Sequence, residues 1–400
     1  MSNWVPELLS PAGNFEKCKT AVLYGANAVY LAGLKFGLRE ASDNFTSLEL
    51  KEAVEFCHQR NVLVYVVLNG FLHDSDLQEL PSFLQEIEVL KVDAVIVSDL
   101  GVIEKVKEFT SIPIHLSTQA SCLNAYSAMF WKNMGVTRVV LGRETSIQEA
   151  KSIKEATGLE VEMFIHGAMC MSYSGHCVIS NYTQGRDSNR GGCAHSCRFE
   201  YSLHADADKL KNEAAKKSFF MSSKDLSGLR ALEEFIKAGI DSLKVEGRNK
   251  SEHYAGTVTK VYAEALAFYR KHGHFLSDAL MTWERELKKI PHRDYTDASL
   301  ISPASDASIY HDREHEQSDT VVCGQVLETN QDRIYLSVKS AFSPGDKLEI
   351  IPIAGPNFTM IVDEIFDMAL QKVERTKPGT LVSIKKMSNV EKFSLVRKSL

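Results

Sequence analysis

The stretch Val62-Leu-Val-Tyr-Val-Val-Leu68, closed by Asn69-Gly70, decides how the rest of the chain is read. It is the longest wholly apolar run, seven residues rich in β-branched side chains, and it reads as a strand. Just before it, Leu48, Leu50, Ala53, Val54 and Cys57 fall at helical spacing and form one apolar stripe. Moving outward, similar short runs recur at Glu7–Leu9, Ala28–Leu31, Ala94–Val97, Pro113–Leu116, Arg138–Leu141, Val161–Ile165 and Ser242–Val245. Amphipathic stretches separate most of them. Strands alternating with helices imply βα units and a mainly parallel sheet. Eight candidate strands over about 250 residues match the count of an α/β (β/α)8 TIM-like barrel. A doubly wound open sheet is the rival, but no G-x-G-x-x-G follows any candidate strand.

The chain has 400 residues, 44% hydrophobic and 24% charged, with a formal net charge of −6. That composition excludes a largely disordered or fibrous protein. No run approaches the ~20 apolar residues that span a bilayer, which predicts no membrane partner. Met1-Ser2-Asn3-Trp4 has neither a charged n-region nor an apolar h-region, which predicts a cytoplasmic protein.

We expect three parts. Residues 1–290 form the barrel, with a cysteine-bearing insertion at about 167–218, too long for an ordinary βα loop. Within it, 199–204 and 218–222 read as a hairpin around a polar 205–217 excursion, and a helix over Leu226–Ala238 precedes the last barrel strand. Helices follow at His253–His272 and Leu276–Ile290, then a polar linker or strap over 291–319 with His292, His311 and His315. From 320 to 400 the short runs Val321–Leu327, Arg333–Val338, Asp346–Ile351, Thr359–Ile365 and Thr380–Ile384 predict a small C-terminal antiparallel β-barrel.

Barrel active sites sit where strands end on the C-terminal face. Those ends carry Ser10, Asn69, Ser98-Asp99, Ser117-Thr118-Gln119, Arg143-Glu144, His166 and the run Lys244-Val-Glu246-Gly-Arg248. Strand ends are polar in any case, yet together these residues fit a polar cavity. Gln119, Arg143 and His166 are candidate substrate-binding residues. Lys244 and Glu246 share one strand face and point into the barrel or its mouth, or else pair with each other as packing. Arg248 suits bidentate contact with a carboxylate or phosphate.

Of the eight cysteines, Cys18, Cys57, Cys122 and Cys323 are scattered and read as small buried hydrophobes. The others fall within 28 residues as Cys170-x6-Cys177-x15-Cys193-x3-Cys197. Four thiolates hold either an iron–sulfur cluster or a structural zinc. The first gap is wide for a zinc knuckle, and plain buried or redox cysteines remain a third option. His166 and His176 flank the first pair as alternative ligands. The chain lacks G-x-S-x-G and H-E-x-x-H, and His311-Asp-Arg-Glu-His315 lacks the Glu directly after its first His. The acidic net charge gives no global nucleic-acid footprint. The insertion nevertheless supplies Arg186, Arg190 and Arg198 beside Tyr182 and Phe199, which suit phosphate contact and base stacking.

Several segments resemble the collagenase-like peptidase family. They are Glu7-Leu-Leu-Ser-Pro-Ala-Gly13, Ala28-Val-Tyr-Leu-Ala-Gly33, His166-Gly-Ala-Met-Cys170-Met-Ser-Tyr-Ser-Gly-His-Cys177, Gly192-Cys-Ala-His-Ser-Cys197-Arg-Phe-Glu-Tyr201, Ser223-Lys-Asp-Leu226 and Ser242-Leu-Lys-Val-Glu-Gly-Arg248. The short C-terminal barrel and His292-Arg-Asp-Tyr295 look most like the members that take part in tRNA hydroxylation. The resemblance implies a [4Fe-4S] cluster on Cys170, Cys177, Cys193 and Cys197; some relatives draw a ligand from elsewhere, which bears most on Cys197. It implies O2-independent hydroxylation of wobble uridine C5, with tRNA as partner and prephenate as co-substrate. Ribosomal RNA is the alternative substrate and peptide cleavage the alternative activity. Relatives that work as two-protein complexes imply a paralogous partner or a homo-oligomer. On this footing Lys244 and Arg248 contact anions, Glu246 orients or transfers a proton, and Tyr182, Arg186 and Arg190 join His166, Gln119 and Arg143 in binding substrate.

Overall fold

The computed structural model describes residues 3–38, 43–203, 216–311, 318–387 and 390–400. His315 and most of the 205–217 excursion lie outside them. The eight expected strands are all present: β1 (Glu7–Pro11), β2 (Ala28–Leu31), β3 (Leu63–Leu68), β4 (Ala94–Val97), β5 (Ile114–Leu116), β6 (Val136–Val140), β7 (Glu160–Ala168) and, after the insertion, Ser242–Val245. They pair in parallel in chain order, and Ser242–Val245 pairs with both β1 and β7, which closes the barrel. Helices pack outside it. Leu50, Ala53, Val54 and Cys57 of Ser47–His58 are buried as their spacing predicts, whereas Leu48, in the first turn, is exposed.

The insertion holds a short hairpin, β8 (Tyr201–Leu203) with β9 (Lys216–Ser218). The expected helix over Leu226–Ala238 begins only at Leu232. Its first residues form β10 (Asp225–Ser227), antiparallel to the end of β7, and Gly228 N–H donates to the Ile165 carbonyl. A helix there would surrender those bonds. With β10 placed, Ser242–Val245 is β11. The stretch after the Ser277–Leu287 helix is stitched to the barrel: β12 (Tyr295–Thr296) pairs with β10, Ile309 bridges Ser223, and Arg293 and Tyr310 are buried.

The C-terminal region is an eight-stranded antiparallel sheet curled around its own core of Val326, Ile334, Leu336, Leu348, Ile350 and Ile384 among others. Its strands are β13 (Thr320–Thr329), β14 (Arg333–Val338), β15 (Lys347–Ile351), β16 (Phe358–Ile361), β17 (Ile365–Phe366), β18 (Lys372–Val373), β19 (Leu381–Lys385) and β20 (Leu395–Ser399). The expected Thr359–Ile365 strand is divided between β16 and β17, and β20, which sits between β13 and β15, was not anticipated. This sheet is tied to the barrel's helices. Tyr24 donates to the Ile351 carbonyl at 2.7 Å and accepts from Leu395 N–H at 3.1 Å. Arg397, fully buried, bonds Glu349 at 2.9 Å and Glu286 at 2.5 Å.

Candidate functional site

The inside of the barrel departs from the usual branched-aliphatic filling. Successive inward positions put Glu7, Arg138, Glu162 and Lys244 on four different strands. Arg138 contacts Glu7 at 2.8 Å and Glu162 at 3.3 Å, and Lys244 Nζ donates to Glu162 at 2.7 Å. Tyr65 OH and Ser242 Oγ complete Glu7. Arg138 also holds Glu160 at 2.8 Å, at the more exposed edge of the network, so loss of either cation leaves the fully buried Glu162 only partly compensated. Burial works to raise the Glu162 carboxyl, but Lys244 and Arg138 together hold it below the ordinary range. Beside them His115 is pushed down to about 3, by burial first and then by Arg138, so it stays neutral.

Above this network opens a cavity of about 460 Å³. Its base is Lys244, Tyr30, Phe164 and Ile96, with Lys244 Nζ 4.6 Å from the centre of the Tyr30 ring. Its sides are strand ends. Asn69 Nδ2 donates to Ser117 Oγ at 3.0 Å and to Gln119 Oε1 at 2.9 Å, and Arg143 Cζ lies over the Phe164 ring, 3.9 Å from its centre. The turn after β11 contributes Glu246, Arg248 and Lys250. With Arg143 and Arg198, five Lys or Arg side chains face one carboxylate, Glu246, on this wall. The lining therefore carries an excess of cationic side chains, which favours anions.

A β-bulge shapes the wall. Lys244 stands opposite Phe164 but Val245 stands opposite His166, so Ile165 is an extra residue in β7. The side-chain alternation inverts there. Phe164 faces the cavity, while His166 turns away and packs on Tyr254, Tyr262 and Tyr295. His166 is buried, its Nδ1 lies 3.3 Å from Tyr262 OH, and desolvation pushes it down to about 3. Gly167 completes the bend at φ +111°, where a Cβ would come within 2.3 Å of the Glu246 carbonyl. His166 is thus not on the cavity wall.

The insertion covers the cavity and brings all four expected cysteines, Cys170, Cys177, Cys193 and Cys197, to its wall as free thiols. The loop is held from several sides. Ser174 N–H donates to Glu144 at 2.7 Å, His176 Nε2 meets the Gln119 carbonyl at 2.5 Å, and Ser223 Oγ donates to the Met169 carbonyl at 3.1 Å. Burial pushes the Cys197 thiol up, and Cys170, Cys193 and Cys177 push it the same way while Arg198 opposes them, so each of the three lies within electrostatic reach of Cys197. Among the described residues, no three His, Cys, Asp or Glu side chains are drawn together to hold a metal ion. Four free thiols on one wall nevertheless have the donor chemistry of a cluster.

Of the other expected site residues, Lys244, Glu246, Arg248, Gln119 and Arg143 come together on the wall. Lys244 pairs with Glu162, not with Glu246. Arg248 donates to Asn44 at 2.6 Å. Tyr182, 88% exposed, and Arg186 stand on the outer surface of the insertion, and Arg190 binds Asp76 away from the cavity. Glu162 was missed, although an acid inside the apolar run Val161–Ile165, in phase with Phe164, was the available signal.

The profile of "Peptidase family U32" matches residues 13–309, and that of the "Peptidase family U32 C-terminal domain" matches 318–397. The chain is 38% identical to tRNA hydroxylation protein P1 of Bacillus subtilis, over 98% of this chain and 94% of that protein. It is 33% identical to tRNA hydroxylation protein P of Escherichia coli, over 89% and 88% respectively. It is also 31% identical to the 23S rRNA 5-hydroxycytidine C2501 synthase of Escherichia coli, over 86% of this chain and 52% of that protein. Among the described residues, no helix is long and apolar enough to cross a membrane.

Proposed function

The chain belongs to peptidase family U32, and on that footing we propose that it is an iron–sulfur RNA hydroxylase that acts on C5 of the tRNA wobble uridine without O2. The names of its relatives support RNA hydroxylation. The observation that carries the reading is the meeting of four free thiols with a cationic cavity at the C-terminal mouth of the barrel.

A base inside a folded RNA is reached only after it is taken out of its stack, at about a few kcal/mol. Tyr182 and Arg186, exposed beyond the cavity, receive the neighbouring base face and phosphate. The extruded pyrimidine enters beside the Arg143–Phe164 cation–π pair. Gln119, whose Oε1 already accepts from Asn69 and Ser117, turns its Nε2 to a ring carbonyl. Lys244 and Arg248 hold an anionic co-substrate; prephenate, a dicarboxylate, has the charge they select. Glu246, beside Tyr30, orients the reacting edge and takes the proton released at C5.

Replacing C5–H by C5–OH adds one oxygen and is a two-electron oxidation; with water as the oxygen source it releases two electrons and two protons, and the electrons must pass on to an external electron acceptor. A [4Fe-4S] cluster held by Cys170, Cys177, Cys193 and Cys197 supplies one-electron transfer when bound. The test is mass spectrometry of wobble uridine from a strain lacking the gene, with and without the gene restored. Loss of 5-hydroxyuridine-derived nucleosides, reversed on restoration, is expected. Unchanged nucleosides, or peptide cleavage that persists through purification and is abolished by one substitution, would overturn the proposal.

A further inference from the structure

Arg190 does not line the cavity, and the geometry points to a different role for it. We infer that it is a positioning residue whose clasp on Asp76 and the Phe71 carbonyl sets Cys177 and Cys193. The inference rests on the four-thiol site proposed above. Arg190 Nη1 donates to Asp76 Oδ2 at 2.8 Å and to the Phe71 carbonyl at 2.5 Å. The next residue back is held as well: Phe71 N–H donates to the Asn189 carbonyl at 3.1 Å. Asn189 and Arg190 are thereby fixed to the segment that leaves β3, outside the insertion.

The same two turns carry the thiols. Asn189 Nδ2 donates to the Cys177 carbonyl at 3.0 Å, and Ser188 Oγ donates to that carbonyl too. On the other side of Cys177, His176 is held edge-on by Phe71 and bonded to the Gln119 carbonyl. Past Arg190 the chain reverses tightly. Gly192 N–H returns to the Asp187 carbonyl at 2.7 Å, and a Cβ on Gly192 would come within 2.6 Å of that oxygen. The reversal leaves no slack between the clasp and Cys193, so the anchoring of Arg190 to Phe71 and Asp76, beyond β3, dictates the place of two thiols on the cavity wall.

A phosphate contact is the competing role for Arg190, and the two separate experimentally. Arg190→Gln, Asp76→Asn and the conservative Arg190→Lys are compared with wild type; Asn at 76 keeps an acceptor for His73 N–H, so the following helix stays capped. Iron per chain and visible absorbance are read after anaerobic reconstitution with ferrous iron and sulfide. Iodoacetamide alkylation of Cys177 and Cys193 is timed in iron-free protein. Affinity for an anticodon stem-loop RNA is measured across salt.

We expect Arg190→Gln and Asp76→Asn to raise the alkylation rate about five-fold, the factor a partly exposed ion pair worth about 1 kcal/mol commands. Both lose iron on gel filtration, Arg190→Lys recovers most of it, and the salt slope of RNA binding stays unchanged. Wild-type iron and alkylation rates in both variants would overturn the inference. So would a salt slope reduced by about one in Arg190→Gln alone, the mark of a lost phosphate contact. Wild type that holds no iron would defeat the cluster reading, while the alkylation arm still decides the clasp.

Discussion

Lys244→Met tests the charged barrel interior directly. Lys244 Nζ is the nearer of the two cations on Glu162, at 2.7 Å against 3.3 Å for Arg138, and Glu162 is fully buried. Breaking a buried pair by removing one partner costs about 3–5 kcal/mol; the remaining Arg138 contact places the expected loss near the lower bound, about 3 kcal/mol. The pH dependence has a definite sign. In wild type the folded Glu162 pKa is depressed, so its contribution is present above the unfolded carboxylate range and fades as acid protonates it. In the variant burial dominates and the folded pKa rises above the unfolded value. The penalty is then full at pH 7.5 and shrinks as pH falls through the raised pKa. Urea denaturation at pH 5 and pH 7.5 reads this, with Lys244→Met/Glu162→Gln as the rescue. The double variant is expected to regain most of the stability while RNA hydroxylation stays absent, because the anion contact is still missing. A Lys244→Met barrel as stable as the double variant, or equally weakened at both pH values, would refute the reasoning.

Other consequences follow from particular contacts. Gly167→Ala is expected to cost about 2 kcal/mol or more, because its φ is +111° and a Cβ meets the Glu246 carbonyl; a thermal midpoint equal to wild type would contradict this. Arg397→Met leaves Glu286 and Glu349 to share Lys289 as their one remaining cation among the described residues, and should give the C-terminal sheet an earlier calorimetric transition than the barrel. Tyr182→Ala is expected to weaken binding of an anticodon stem-loop by about 1–3 kcal/mol without altering iron content. Cys170→Ser and Cys197→Ser should each lose the iron-dependent visible absorbance of anaerobically purified protein, and a variant that keeps it names a cysteine outside the ligand set.

The barrel was legible because each strand is a short apolar run ending in a polar residue, and helical spacing fills the gaps. The cavity was legible for the same reason: Asn69, Ser117, Gln119, Arg143 and Lys244 are all strand-end positions or next to them. His166 was misplaced because counting by twos along β7 fails at the extra residue Ile165, and nothing local marks a bulge except Gly167 just after it. The turn at Gly228 was hidden inside an apolar sequence that also suits a helix. β20 was hidden by Arg397, a charge at a buried position whose partners come from β15 and a barrel helix. Arg190 reads as a phosphate ligand by type, and only the fold reveals Asp76 beside it.

The string of charges through the barrel also bears on the order in which the protein is made. Of these residues Glu7 emerges from the ribosome first, Arg138 and Glu162 later, and Ser242 and Lys244 only with the last barrel strand. A nascent chain short of residue 242 holds Glu7, Glu160 and Glu162 around Arg138, one of the two cations that neutralise them. Its interior then has reason to stay hydrated, because the desolvation of Glu162 is not yet offset. Closure of the ring and neutralisation of its axis become a single event, triggered by the arrival of β11. Early fragments remain open, and the thiol-bearing insertion, which precedes β11, waits on a scaffold that locks only after it has been synthesised.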